Sequence, residues 1–284
     1  MIQCIKTAYM HNNLNRRSEN TIFMSSESFE LNTVLMRSTF KLQGEGSLGT
    51  AFIIGRPFKE NAARANFVMV TAAHVLEEMK GHTALLFLRA IKDGSYQKIP
   101  CPIEIRREGK PLWIRHPDDV VDVAVMYVRL LLGIDILLLP TKFLADDAIL
   151  EEFEIHPGDE LMCLGYPFGA ESSGAGFPIL RSGKIASYPL IPTRQTKAFL
   201  YDFRVFKGNS GGPVYFVQSG RTYAGGMHVG TIQFIAGLVS KEHIVTEKIE
   251  SIYETREERH TLSLATVVHA SLIRETIEML PQMS

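Results

Sequence analysis

Lys207-Gly208-Asn209-Ser210-Gly211-Gly212-Pro213-Val214-Tyr215-Phe216-Val217 sets a serine in a glycine-rich turn and follows it with a β-branched and aromatic run. Such a run predicts a strand after the turn. The glycines permit a sharp backbone turn, so that the amides of Gly208 and Ser210 can converge on a developing oxyanion. Ser210 is therefore a candidate nucleophile. A serine hydroxyl is a poor nucleophile without a base beside it, and small turns also use Gly, Asn and Ser for conformational reasons alone. The turn needs partners.

Two other segments supply them. Val70-Thr71-Ala72-Ala73-His74-Val75 is a strand running into a small-residue turn that presents a histidine. Val121-Asp122-Val123-Ala124-Val125 sets an aspartate at the head of an apolar strand. An imidazole can take the serine proton, and an aspartate on its other nitrogen holds the tautomer and stabilises the charged form. Each segment alone has an ordinary structural reading, as a core histidine or a strand-end aspartate. Together, in the order His74, Asp122, Ser210, they form a candidate catalytic triad. The rival is the G-x-S-x-G elbow of α/β-hydrolases, where strand leads to helix and the Asp and His follow the serine. Here the residues after Ser210 are β-forming and the Asp and His precede it, so the elbow reading fails.

The rest of the chain fits an all-β protein. Short strand-like segments occur at 33–42, 49–54, 67–71, 84–91, 99–105 and 120–130, and again at 160–165, 179–187, 198–203, 213–217, 222–228 and 234–240. A connector with a helical turn lies between Pro140 and Pro157. The expected organisation is a flexible N-terminal extension over 1–30, a first β-barrel over 31–145 carrying His74 and Asp122, and a second over 146–284 carrying Ser210. Met24 is an equally acceptable start. Residues 245–260 are densely charged with both signs and read as a solvated helix or loop insertion. Leu262–Val268 reads as a strand and 271–280 as a C-terminal amphipathic helix capped by Ser271 and stopped by Pro281.

Composition excludes other classes. Thirty Lys plus Arg against 31 Asp plus Glu give a net charge of −1, which offers no footprint for nucleic acid or an anionic membrane. Apolar runs are too short to span a bilayer, and no secretory h-region opens the chain. Cys4, Cys101 and Cys163 are too few for a disulfide framework or structural zinc, so reduced thiols and a cytoplasmic location are expected. Ser182-Gly183-Lys184-Ile185 and the glycine-rich 44–49 do not make phosphate loops. The Arg pairs 16–17 and 106–107 read as solvated. His116, His156, His243, His260 and His269 lack metal-ligand spacing, and no metal or cofactor is expected.

TAAH, DVAV and GNSGGP resemble the trypsin/chymotrypsin-like serine peptidases. Gly49-Thr50-Ala51-Phe52-Ile53-Ile54, Leu164-Gly165-Tyr166-Pro167-Phe168-Gly169, Ser182-Gly183-Lys184-Ile185 and Asp202, eight residues before Ser210, look closest to bacterial HtrA-type domains. The resemblance spans about residues 33–280. It implies two six-stranded antiparallel β-barrels with a C-terminal helix, and a serine endopeptidase that forms an acyl-enzyme on peptide or protein substrates. By it His74 is the general base, Asp122 the orienting acid, Ser210 the nucleophile, and the Gly208 and Ser210 amides the oxyanion hole. The 44 residues after Ser240 are too few for a PDZ module, and Asn209 replaces the aspartate that pairs with a new N-terminus in secreted trypsins. The alternative is a latent or inactive scaffold of the same fold, a protein-binding or partner-triggered effector module, with a regulatory protein partner.

The resemblance leaves the substrate pocket open between two alignments. Ala236-Gly237-Leu238-Val239-Ser240 matches the pocket strand and makes Ser240 the support of Asp122. Gly226-Met227-His228-Val229-Gly230 matches it in glutamate- or glutamine-preferring relatives and puts His228 in the pocket. Arg204, six residues before Ser210, is a candidate pocket-base residue that would prefer an acidic side chain.

Overall fold

The computed structural model describes residues 30–59, 64–223, 225–250 and 255–283. The expected N-terminal extension falls almost wholly outside them, as do residues 251–254 of the charged stretch. The chain is mostly β. The first half is an antiparallel sheet in the order β5-β4-β1-β2-β3-β9-β8. Its strands are β1 (Thr39–Glu45), β2 (Ser47–Pro57), β3 (Ala65–Thr71), β4 (Lys80–Lys92), β5 (Ser95–Glu104), β8 (Ile114–Arg115) and β9 (Ala124–Tyr127). A two-residue pair, β6 (Arg106–Arg107) and β7 (Lys110–Pro111), stands apart. The second half closes on itself in the order β10-β11-β12-β15-β14-β13. These are β10 (Glu160–Gly165), β11 (Ile179–Ile185), β12 (Ala198–Asp202), β13 (Pro213–Tyr223), β14 (Gly226–Glu250) and β15 (Thr255–His269).

Three expectations are corrected. The first half is a seven-stranded sheet rather than a six-stranded barrel, because its end strands β5 and β8 are not hydrogen-bonded to each other. Pro100 and Pro102 strip donors from one edge of β5, and β8 has only two residues, so neither edge offers a ladder. Residues 33–38, expected to open a strand, fall in helix α1 (Leu31–Ser38). Thr33 and Val34 are strand-like by type, yet Leu31, Val34, Leu35 and Ser38 recur at three- and four-residue spacing and are the buried ones. The described residues of the charged stretch, 245–250 and 255–260, form strand rather than the expected helix or loop. They continue β14 and β15 as a two-stranded arm, with Thr246 opposite Arg259 and Lys248 opposite Glu257. Lys248 and Glu257 make a cross-strand pair of opposite charge, whereas Glu247 and Glu258 set two carboxylates opposite each other.

Two apolar cores result. One lies under the first sheet, and the other fills the closed ring with Leu161, Cys163, Tyr201, Phe216, Phe234, Ala265 and Val267. Cys101 and Cys163 are both buried and free. Helix α5 (Ala270–Glu278), which starts from His269 rather than from the expected cap Ser271, leaves the ring and packs Leu272, Ile273 and Ile277 into the first core. Its last carbonyls have no partner within the helix. Buried Arg56 on β2 supplies donors, with Nη1 to Leu280 O at 2.7 Å and Nη2 to Glu278 O at 3.3 Å, while Tyr127 Oη donates to Pro281 O at 2.8 Å. Arg56→Ala should lower the unfolding free energy by about 2–3 kcal/mol, the loss of charge-assisted bonds to buried carbonyls. A urea midpoint within error of the parent would refute this account of how the two halves are tied.

Candidate active site

His74 sits in the first turn of α2 (Ala73–Glu77), directly after β3. Asp122 precedes β9, and β3 pairs with β9 through Thr71–Ala124, which brings the two segments together. The Asp122 carboxylate accepts from His74 Nδ1 at 2.6 Å on Oδ2, from the His74 backbone N–H at 3.0 Å on Oδ1, and from Ser240 Oγ at 2.6 Å on Oδ2. Burial opposes its ionisation, but the imidazole, the Ser240 hydroxyl and the His74 amide outweigh it and hold the carboxyl down to about 2. An ionised carboxylate only accepts, so Nδ1 carries the proton and Nε2 keeps its lone pair. Burial pulls the imidazole pKa down, yet the bond and charge of Asp122, with Glu78 and Glu77, raise it above its ordinary value.

The serine turn is lashed to the same place. Thr50 on β2 donates its amide to Ser210 O at 2.8 Å and its hydroxyl to Gly208 O at 2.6 Å. Thr71 Oγ1, three residues before His74, donates to Thr50 O at 2.7 Å. Gly211 donates to Val239 O at 2.7 Å, next to Ser240. Gly211 has φ +85°, and a Cβ there would collide with Thr50 O and Thr71 Oγ1. Only glycine fits so close an approach between the halves.

Neither the Gly208 nor the Ser210 amide has an acceptor among the described residues. The orientation of the Gly208 amide is set from behind. Phe168 N–H donates to Lys207 O at 2.6 Å, and in a planar trans peptide that carbonyl direction sends the Gly208 N–H the opposite way. Phe168 holds φ +52° and packs its ring on Phe206 at 5.3 Å. The loop that carries it is fixed by Arg89, a fully buried arginine between the Phe40 and Phe177 rings. Arg89 donates to Gly176 O at 2.8 Å and to the carbonyls of Met36, Arg37 and Thr39 at 3.0 Å. Burial pushes its pKa down.

His74, Asp122, Ser240 and the Gly208–Ser210 turn thus meet at one place. Arg204 and His228 do not join them. Arg204 is exposed with its guanidinium over Phe206, and His228 lies opposite Arg221 near the β13–β14 turn, edge-to-face with Phe153 at 5.5 Å. Thr50, Thr71 and Phe168 stand in the quoted segments, but their roles and that of Arg89 escaped sequence reading, because they act through contacts distant in the chain. On the arm, Glu247, Glu258 and His260 bring ligand atoms within 4.8 Å of one another. Linear spacing hides this group, because the register opposes Glu247 to Glu258 and Val245 to His260. Glu247 and His260 are exposed and Glu258 is half-buried, and nothing else among the described residues of the arm points to an ion. No helix among the described residues is long and apolar enough to cross a membrane.

Residues 49–224 match the family model of the trypsin-like peptidase domain. The chain belongs to the trypsin-like peptidase family, a family of peptide-bond hydrolases. Similar solved structures include the inactive form of Rv3671c from M. tuberculosis, as a serine-to-alanine mutant, at 17% identity and TM-score 0.42, covering 91% of this chain and 96% of that one. Another is the protease Anisep from Arthrobacter nicotinovorans, at 15% identity and TM-score 0.43, covering 86% of this chain and 94% of that one. No curated protein matches.

Proposed function

We propose that the protein is a serine endopeptidase of two-lobed trypsin-like architecture, with its active site between residues 31–145 and 146–284. Ser210 Oγ attacks the scissile carbonyl while His74 Nε2 takes its proton. Asp122, held by Ser240, keeps the imidazole in that tautomer and stabilises its charged form. The Gly208 and Ser210 amides receive the oxyanion, His74 returns the proton to the leaving amine, and water then hydrolyses the acyl-enzyme by the same path reversed. The observation that carries this reading is the carboxylate–imidazole pair beside a serine turn whose two amides are free to donate. The same free amides weigh against a latent scaffold, in which that turn would be blocked or reversed. The test is covalent labelling by a fluorophosphonate. Labelling of the isolated chain supports an assembled nucleophile, and a folded chain that resists the probe overturns the reading in favour of a partner-triggered or inactive module.

The pH profile follows from His74. A base works in its neutral form, and this imidazole has a raised pKa, so kcat/KM should climb with pH through a midpoint above the ordinary 6.5. A midpoint at or below 6.5 would contradict the coupling to Asp122.

A further inference from the structure

Asp122 leads directly out of a turn whose knot is Asp118. The Asp118 carbonyl accepts from Val121 N–H at 2.9 Å, and its Oδ1 accepts from Val120 N–H at 3.0 Å. Its own N–H donates to His116 Nδ1 at 3.1 Å. His116 is buried, and its N–H donates to Val123 O at 3.2 Å across the base of the turn. Asp118 thus sets the course of residues 120 and 121, and Asp122 is the next residue.

Two cations reach this turn from outside it. Arg115, on β8, donates Nη2 to Asp119 O at 2.7 Å and Nη1 to Glu77 Oε1 at 3.0 Å. Glu77 stands three residues after His74 on α2, so one guanidinium spans the carriers of the imidazole and the carboxylate. Lys197 comes from the other half. It follows α4 (Thr193–Thr196), leads into β12, and sets its Nζ 2.5 Å from Asp118 Oδ2. Its backbone is held at φ +61°, with its N–H on Thr193 O at 2.8 Å and its carbonyl accepting from His269 N–H at 3.2 Å. His269 ends β15, and β12 pairs with β15 through Ala198–Val268, so the lysine is anchored on the closed ring. The half that carries Ser210 therefore holds the turn that leads to Asp122.

We propose that Lys197 is a positioning residue of the triad, holding Asp122 in line with His74 by pinning Asp118 from the Ser210-bearing half. The proposal rests on the peptidase reading and accounts for how the two halves are kept in register at the triad. The side chains of the pair are 32% and 34% exposed, and an ion pair that open contributes little to global stability. Its effect is geometric. A bond of 2.6 Å between Asp122 and His74 suffers when the turn before it shifts by a fraction of an ångström, and catalysis suffers with it.

The test compares the full chain with Lys197→Met, Lys197→Arg, Asp118→Asn and the double variant of Lys197→Met with Asp118→Asn. Lys197→Met should lower kcat about threefold to tenfold, with KM and melting temperature close to those of the parent. Lys197→Arg keeps the charge and should recover most of the loss. Asp118→Asn keeps an oxygen for Val120 N–H, and the double variant should be no slower than the slower single one, because both changes cut the same pair. The pH midpoint separates positioning from plain electrostatics. Deleting a cation would by itself raise the His74 pKa. Burial pulls that imidazole down and the Asp122 bond lifts it, with Glu78 and Glu77 unchanged in these variants, so a loosened Asp122 lowers the midpoint instead. An unmoved or raised midpoint in Lys197→Met, or additive losses in the double variant, overturns the proposal. Proton NMR needs no turnover and separates the two readings. The downfield resonance of the His74 Nδ1 proton, identified by its loss in Asp122→Asn, should move upfield in Lys197→Met and return in Lys197→Arg. If it does and no peptide is cut, the peptidase reading fails and the positioning role stands. Ser210-dependent cleavage with an unmoved resonance sinks the positioning role alone. If nothing is cut and the resonance does not respond, both fall.

Discussion

Ser210→Ala is expected to lower kcat for peptide hydrolysis by about 10⁵–10⁶-fold and to abolish fluorophosphonate labelling, with the melting temperature held close to that of the parent. The size follows from the role. When nucleophile, base and orienting acid act as one unit, removing the nucleophile forfeits nearly all of what the unit contributes, and only oxyanion and binding effects remain. The unchanged stability follows from the geometry. The structure ties the turn down through backbone atoms, Ser210 O to Thr50 N, Gly208 O to Thr50 Oγ1 and Gly211 N to Val239 O. The Ser210 hydroxyl makes no hydrogen bond among the described residues, so its loss leaves no orphaned partner. Kinetics on a pure protein, labelling and a thermal melt check the three parts together. Residual cleavage at a tenth of the parental rate would mean that another group performs the attack.

The legible part of this molecule was the part whose chemistry demands particular residue types. A serine in a glycine turn, a histidine at a strand end and an aspartate before a strand are each specified by short sequence, and the structure sets Asp122 against His74. Ser240 was reached through the resemblance of residues 236–240 to the family's pocket strand, one of two alignments left open, and it lies inside β14. The closed ring and the helix after it were legible because strands and turns alternate at short range. The seven-stranded first sheet was not, since closure depends on which edges retain donors, and that is decided by Pro100 and Pro102 in a fold not yet assembled. Helix α1 was misread because residue type and periodicity disagreed at Thr33 and Val34, and burial of Leu31, Val34 and Leu35 decided for periodicity. The supports of the site were hidden by distance. Thr50 reaches a carbonyl 158 residues away, and Arg89 one 87 residues away.

Asp122→Asn should leave the fold intact and still lower kcat about 10⁴-fold at neutral pH. The carboxylate presently accepts from three donors, two of them on Oδ2 at 2.6 Å. An amide keeps one acceptor oxygen, and the His74 backbone N–H at 3.0 Å and the Ser240 hydroxyl both compete for it. The amide nitrogen then faces His74 Nδ1 as a donor. The imidazole must answer by accepting there, which moves its proton to Nε2, where Ser210 needs a lone pair. The serine is left beside a donor instead of a base. The acid limb of stability should change as well. Asp122 titrates near 2 in the folded chain against an ordinary 3.8, so its contribution is full above 3.8 and fades as pH falls through the folded value. In Asp122→Asn that dependence should flatten, and the pH midpoint of the remaining activity should drop, since the imidazole loses its largest source of upward shift. A kcat within tenfold of the parent, or an unmoved midpoint, would show that His74 does not draw its tautomer and basicity from Asp122.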